Sequence, residues 1–229
     1  MDILLDRLVR AFPEQFLLRL TQRQTPVYQL SVEAAFSILQ WGTAEAMSVL
    51  PHVRRGLFEA EVRRAGEACG LDVSDSAHAG ENCSCVTVRA DGLVMTAHYV
   101  DGPGEFVRDA ESRKQNAAVN EWMGEHCDER LLVRPLPRVG RKPIYLNLLH
   151  GGCFDDAGRA KPTLDPSTFF LRVCVPAADG SRKYVRNWNA LEILSAYASI
   201  PVAQAAGARE VEDKAQPRRK TPQGSREKA

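Results

Sequence analysis

The chain has 229 residues, of which 44% are hydrophobic and 26% charged, so it is long enough for one or two domains with a buried core. Its 30 Lys and Arg and 29 Asp and Glu leave a net charge of +1, which excludes a global field drawing the chain onto nucleic acid or an anionic membrane. No apolar run reaches the roughly 18 to 20 residues of a membrane span, and acids interrupt the apolar N-terminus. We therefore expect a soluble, cytoplasmic, prokaryotic protein with no membrane association.

The six cysteines fit reduced, buried thiols better than three disulfides. No secretory signal is visible, and thiols stay reduced in the cytoplasm. No motif indicates a bound cofactor, so we expect none.

The first 70 residues are predicted to be helical throughout. Residues 3–22 repeat apolar side chains at helical spacing, and Pro13 should split or kink that helix. A second helix is predicted over 31–40. A third begins at Thr43 and ends at Cys69, with a bend or a fresh start expected at Pro51.

In residues 83–100 the sequence pattern changes from that of helices to that of a β-hairpin. Two β-branched runs in residues 83–100 flank Asp91-Gly92, a pair that suits the positive φ angles of a type I′ turn. A two-residue turn there fixes the strand register. The pairs it predicts include Val88 with Met95, Thr87 with Thr96 and Cys85 with His98.

The second half of the chain alternates helices and strands. Residues 105–123 have helical character, and a Pro-punctuated link follows. Residues 143–150 and 168–175 are apolar on two faces, which is typical of strands covered on both sides. A short edge strand is predicted over 183–186, and Asn189 to Glu192 has the spacing of a capping box before a last helix.

These elements predict an α+β fold: a helical N-terminal segment, then a mostly antiparallel sheet of about four to five strands with two packing helices. The C-terminal segment has almost no large apolar side chain, so we predict a disordered tail. The N-terminal helices either form a separate subdomain or cover one face of the same sheet. The expected divisions are 1–70, 71–206 and 207–229.

A first candidate site is a metal site on the hairpin. The predicted register puts Cys83, Cys85 and His98 on one face, and two thiolates with an imidazole supply three of the four ligands of a zinc site. His78 could be the fourth. The C-x-C spacing is wide for one ion, and the alternative is thiols packed under a helix with His98 hydrogen-bonded to a neighbour.

A second candidate site follows the strand at 143–150. There the sequence passes through His150 and a Gly pair to a thiol and two acids, a set that can supply a general base or a Cys-His pair. Ordinary turn chemistry explains the same residues. The candidate catalytic residues are His150, Cys153, Asp155 and Asp156.

A third candidate is a local basic surface in a nearly neutral chain. The cations of the 105–123 helix and of the following link could contact phosphates, or could be solvated or paired within the fold. The candidate phosphate-binding residues are Arg108, Arg113, Lys114, Arg138, Arg141 and Lys142.

A helix, hairpin, helix order also occurs in endonucleases, but here the second hairpin strand lacks the alternating acids and lysine that would hold Mg²⁺, so no family is recognised. P-loop, dinucleotide-binding, nucleophile-elbow and zincin motifs are also absent from the sequence. We therefore expect a non-enzymatic protein that binds a protein or nucleic-acid partner. The alternative is a small hydrolase or transferase using the residues at 150–156, and the sequence decides neither enzymatic activity nor oligomeric state.

Overall fold

The computed structural model has N-terminal helices and a six-stranded mixed sheet, and the described residues up to Ala198 form one compact unit. The structure describes residues 2–38, 43–77, 84–107, 111–124, 142–152, 166–179 and 183–199. The α-helices are α1 (Ile3–Ala11), α2 (Glu14–Glu33), α3 (Thr43–Ala68), α4 (Glu111–Ala118), α5 (Glu121–Gly124) and α6 (Ala190–Ala198). The strands are β1 (Asp72–Ala77), β2 (Ser84–Ala90), β3 (Leu93–Tyr99), β4 (Ile144–Gly151), β5 (Phe170–Pro176) and β6 (Tyr184–Asn189).

The sheet follows sequence order, β1-β2-β3-β4-β5-β6. Every neighbouring pair is antiparallel except β3 and β4, which are parallel and are joined through the segment that contains α4 and α5. The predicted α+β class is confirmed, with six strands in place of four or five. The strand that sequence analysis missed is β1.

The hairpin forms in the predicted register. Asp91 and Gly92 have φ angles of +44° and +75°, the two positive values that a type I′ turn requires. The paired positions run from Thr87 with Thr96 to Ala90 with Leu93 and include Val88 with Met95, and the predicted pair of Cys85 with His98 is not among them.

The helical layer covers one face of the sheet. Helices α2 and α3 pack on each other, α3 packs on the first three strands, and α6 packs on α1, α2, β5 and β6. Alternate residues of the central strands point into this layer, where they are fully buried against aromatic side chains of the helices. Examples are Val88, Met95, Leu148 and Val173 from the strands and Phe12, Phe16 and Phe58 from the helices.

The helix boundary expected at Pro13 is present, the gap expected before residue 31 is absent, and no new helix starts at Pro51. Pro13 separates α1 from α2, as predicted. The expected gap before residue 31 is absent, because α2 continues through Pro26 and passes into a π-helical turn at Ala34–Ile38. α3 runs through Pro51 without a fresh start, since its buried face, with Leu50 and Arg54 on either side of that proline, keeps it against its neighbours.

The helix predicted over 105–123 is wrong in extent. Residues 101–107 are not helical, and the helical part is two short helices, α4 and α5. The break between them coincides with Asn120, whose amide donates to the carbonyl of Tyr145 and whose oxygen accepts from the Tyr145 N–H, at 3.0 and 2.8 Å. This side chain pairs with the backbone of β4 and fixes the end of α4.

Other predictions of local structure are confirmed. β4 is buried at all eight positions, as the two-sided apolar pattern indicated. The Asn189 N–H donates to the Glu192 carboxylate at 2.6 Å, and the Glu192 N–H donates to the Asn189 side chain at 2.9 Å, which is the predicted capping box. The link as far as residue 141 and the tail from residue 207 lie outside the described residues. Across the described ranges, no helix combines the length and the apolar character of a membrane span.

Candidate functional site

A cleft of about 170 Å³ lies at the carboxyl end of β3. One wall is a stripe of α3, the opposite wall comes from residues 101–107 and α4, and the end of β3 lines the space between them. The side chains that carry its chemistry are Ser48, His52, Arg55, His98, Tyr99, Asp101, Glu105, Phe106 and Arg113.

The α3 wall follows from helical spacing. Pro51, His52 and Arg55 follow Ser48 by three, four and seven residues, so all four share one face of the helix. His52 is exposed, whereas the Arg55 Nε donates to the Glu59 carboxylate at 2.9 Å. Arg55 is therefore held along the helix by Glu59 and also lines the cleft.

The opposite wall is the strap, defined here as residues 101–107. Arg172 of β5 donates to the Pro103 carbonyl at 3.2 Å, and the Val107 N–H points to the Tyr184 hydroxyl of β6 at 3.4 Å. Phe106 stacks on Tyr184, with ring centroids 4.9 Å apart and planes tilted by 21°. The strap is therefore fastened to the two C-terminal strands of the sheet.

His98 lies at the inner end of the cleft and is 6% exposed. Its Nε2 is 2.7 Å from the Thr96 hydroxyl, which is 2.6 Å from the hydroxyl of Tyr145. Burial, together with the charges of Arg113 and Arg55, lowers the pKa of His98 from 6.5 to about 3. The imidazole is consequently neutral at neutral pH, and it is a weak base.

Arg113 brings a second guanidinium to the cleft from the first turn of α4. Its Nε is buried and has no hydrogen-bond partner among the described residues. Two arginines from different helices therefore line the same cleft. The carboxylates of Asp101 and Glu105 line it too, so its charge is mixed.

A second cluster lies on the helix-covered face of the sheet, around His150. This side chain has no exposed surface, its Nδ1 is 2.9 Å from the Tyr28 hydroxyl, and its ring stacks on Phe58 with centroids 3.9 Å apart. Burial, the nearby His98 and the charges of Arg55 and Arg54 hold the pKa of His150 well below 6.5. Its Nε2 has no partner among the described residues.

Arg54 joins this cluster to the cleft. Its side chain is fully buried, its Nη1 is 3.3 Å from the Tyr99 hydroxyl, and its guanidinium lies 5.2 Å from the centroid of the Tyr28 ring. Tyr99 in turn lines the cleft. A buried positive charge therefore stands directly behind the cleft.

The structure places only part of the predicted catalytic group. His150 is enclosed by aromatic side chains, which favours a structural role over contact with a substrate. Cys153, Asp155 and Asp156 lie outside the described residues, so the group as a whole stays a prediction.

The predicted metal ligands are likewise placed in part. Cys85 and His98 are both buried on neighbouring strands of the hairpin, and Cys83 and His78 lie outside the described residues. Within the described ranges, no group of three His, Cys, Asp or Glu side chains is arranged to hold a metal ion. His98 is hydrogen-bonded to neighbours, as the alternative hypothesis proposed.

The predicted basic residues are dispersed. Arg113 lines the cleft, Lys114 is exposed and does not line it, and Lys142 lies 5.3 Å from the Trp122 ring centroid. Arg108, Arg138 and Arg141 lie outside the described residues.

Sequence analysis did not identify the α3 stripe as part of a site. Its signal is the spacing of Ser48, His52 and Arg55 on one face of a helix whose other face is apolar. No family model matches this chain, and neither a curated protein nor a solved structure shows significant similarity to it.

Proposed function

We propose that this is a soluble, cytoplasmic, non-enzymatic protein that binds nucleic acid, with a phosphate held in the cleft between α3 and the strap. The observation that carries the proposal is the convergence of Arg55 and Arg113 from two different helices on one small cleft. A guanidinium presents a planar set of donors that matches phosphate oxygens, and it stays charged at every physiological pH.

The environment of His98 supports a positive field in the cleft. Both arginines contribute to lowering the pKa of this buried imidazole, so each is close enough to act on it. An anion that enters the cleft would be attracted by the charges of both arginines, and it would bring an acceptor to the Arg113 guanidinium, whose Nε has no hydrogen-bond partner among the described residues. Arg54, buried behind Tyr99, adds to the same field.

The chemistry of the lining favours binding over turnover. The Ser48 hydroxyl donates to the Glu45 carbonyl at 2.8 Å, an ordinary helical hydrogen bond that gives it no activating base. His98 is too weak a base for proton abstraction near neutral pH. For the competing hypotheses, a protein partner or an enzyme centred on His150, no contact among the described residues adds support.

The test is salt-dependent binding of a fluorescently labelled 20-nucleotide DNA, measured by anisotropy from 50 to 200 mM NaCl. Affinity should fall with salt by about one power of concentration for each phosphate neutralised. Arg113→Gln should weaken binding several-fold and reduce the logarithmic salt slope by about 1, because it removes one phosphate contact.

Arg19→Gln is the matched control, since Arg19 is exposed on α2 and does not line the cleft. It should leave the slope within error of the unsubstituted protein. Circular dichroism of each variant checks that the fold is intact. No binding at 50 mM NaCl, or equal losses for Arg113→Gln and Arg19→Gln, would contradict the proposed function.

A further inference from the structure

We infer that the nucleic acid is single-stranded and that one unpaired base enters the cleft and stacks on Phe106. This inference rests on the proposed function and names the class of ligand for the same site. It is carried by Phe106, an exposed aromatic ring in the wall of a cleft that also contains two guanidinium groups.

Phe106 is presented as a stacking surface. Its ring is nearly parallel to that of Tyr184, so one face is covered, yet the residue keeps 37% of its surface exposed beside the cleft. An exposed phenylalanine with one face supported by a second ring is rigid enough to receive a base. Base stacking on aromatic side chains is a main source of affinity for single strands and requires no particular base.

The strap holds this ring in position before any ligand arrives. The Arg172 contact to the Pro103 carbonyl and the Tyr184 contact to the Val107 N–H fasten the strap on both sides of Phe106. Little ordering of the protein is therefore needed for a base to bind.

The shape of the site distinguishes single strands from duplexes. Proteins that recognise the bases of a duplex insert a helix or a ribbon into its major groove, which is about 12 Å wide. Here the polar and aromatic groups line a cleft of about 170 Å³, which an unpaired base can enter, whereas a base within a duplex is held in its stack. The arginines then meet the phosphate attached to that nucleotide.

The two carboxylates in the cleft bear on which base it prefers. Asp101 and Glu105 would repel a second phosphate, but a carboxylate accepts hydrogen bonds from the amino group of cytosine. Thymine has no amino group to donate. The cleft should accordingly prefer cytosine to thymine.

The experiment uses the full chain and three labelled probes: oligo-dC and oligo-dT of 12 nucleotides and a 12-base-pair duplex, titrated at 100 mM NaCl. We expect oligo-dC to bind at least tenfold more tightly than the duplex and more tightly than oligo-dT. Phe106→Leu should weaken oligo-dC binding by about 5- to 150-fold, because it removes one stacked base. The salt slope should not change, since no phosphate contact is lost.

Two further variants keep the test decisive. Phe106→Trp should restore binding, because indole also stacks, and this rescue separates stacking from a merely structural role of the ring. Leu191→Ala, which truncates a 73% exposed side chain of α6 outside the cleft, should bind like the unsubstituted protein.

The outcomes separate the two proposals. Equal affinity for duplex and single strand, or no effect of Phe106→Leu, would overturn the stacked base, and equal affinity for oligo-dC and oligo-dT would overturn the preference for cytosine. If Arg113→Gln still weakens binding in those cases, the proposed function stands. Failure of all three probes to bind would remove the proposed function itself.

Discussion

At the scale of single residues, the two buried histidines are notable for being uncharged. His98 and His150 sit at the ends of neighbouring parallel strands, on opposite faces of the sheet, and burial is the largest cause of the low pKa of each. The nearby arginines act in the same direction. The folded protein therefore binds fewer protons at these positions than the unfolded chain does.

This difference predicts a pH dependence of stability. In the unfolded chain His98 takes up a proton below its pKa of about 6.5, whereas in the folded protein it does so only near pH 3. The free energy of unfolding therefore falls as the pH falls from about 6.5 to 3. Between pH 6.5 and 5, His98 alone should cost about 1.5 kcal/mol of unfolding free energy. Urea denaturation at the two pH values measures it.

The matched variant for that measurement is His98→Gln, which keeps a polar side chain beside Thr96 and does not titrate. It should reduce the loss between pH 6.5 and 5 by about 1.5 kcal/mol, whatever its effect on stability at pH 7. His52→Gln, at an exposed position of α3, should leave the loss unchanged. An identical pH dependence in the unsubstituted protein and His98→Gln would show that His98 does not resist protonation.

At the scale of elements, α6 depends on its N-terminal cap. Asn189→Ala removes the side-chain acceptor of the Glu192 N–H and breaks the reciprocal capping box, so unfolding free energy should fall by about 1 kcal/mol. Asn189→Asp keeps an acceptor at the same place and should lose much less. Thermal and urea denaturation of the two variants compare them, and equal stabilities would mean that the cap contributes nothing.

The elements that sequence analysis predicted correctly are those with local signals. The Asp91-Gly92 pair sets a turn and hence a register, Pro13 separates two helices, and the two-sided apolar run of β4 needs no knowledge of its neighbours. Each of these depends on the chemistry of a few consecutive residues.

The elements that were missed or misplaced depend on tertiary contacts. β1 is a polar strand, recognisable only through its pairing with β2 and its packing on α3. α3 approaches β1 so closely at Gly66 that a Cβ there would lie 2.6 Å from the Val73 side chain. The end of α4 follows from the bonds of Asn120 to β4. Arg113 was identified as a cation needing a partner or ligand, but its meeting with Arg55 required the packing of α3, β3 and α4.

At the scale of the whole molecule, the sheet has two unlike faces. One carries apolar side chains under α2, α3 and α6, and the other combines an apolar cluster of Val100, Leu149 and Cys174 with the buried polar side chains of Thr87, Thr96, His98 and Asn147, with the strap and α4 against it. The cleft lies at the carboxyl end of β3, where the N-terminal half of α3 meets the strap. At this boundary between the helical layer and the strap, Arg55 and Arg113 lie beside the buried His98 without passing through the apolar core.

The last prediction concerns the C-terminal segment, which lies outside the described residues. The compact unit ends at Ala198, and the sequence from residue 207 has one large apolar side chain, Val211. Ordering a residue costs roughly 1 to 2 kcal/mol, which so little apolar surface cannot offset. A chain ending at residue 206 should therefore melt within about 2 °C of the full chain.

The control for this truncation is a shorter chain that ends at Asn189 and lacks α6. That helix contributes the fully buried Ile193 and the Tyr197 hydroxyl, which donates to the Phe12 carbonyl at 2.6 Å, so its removal should lower the melting temperature by more than 10 °C or prevent folding. Scanning calorimetry of the three chains at one protein concentration makes the comparison. A drop of more than about 5 °C on removing only residues 207–229 would mean that the segment docks on the compact unit and that its composition misled the prediction.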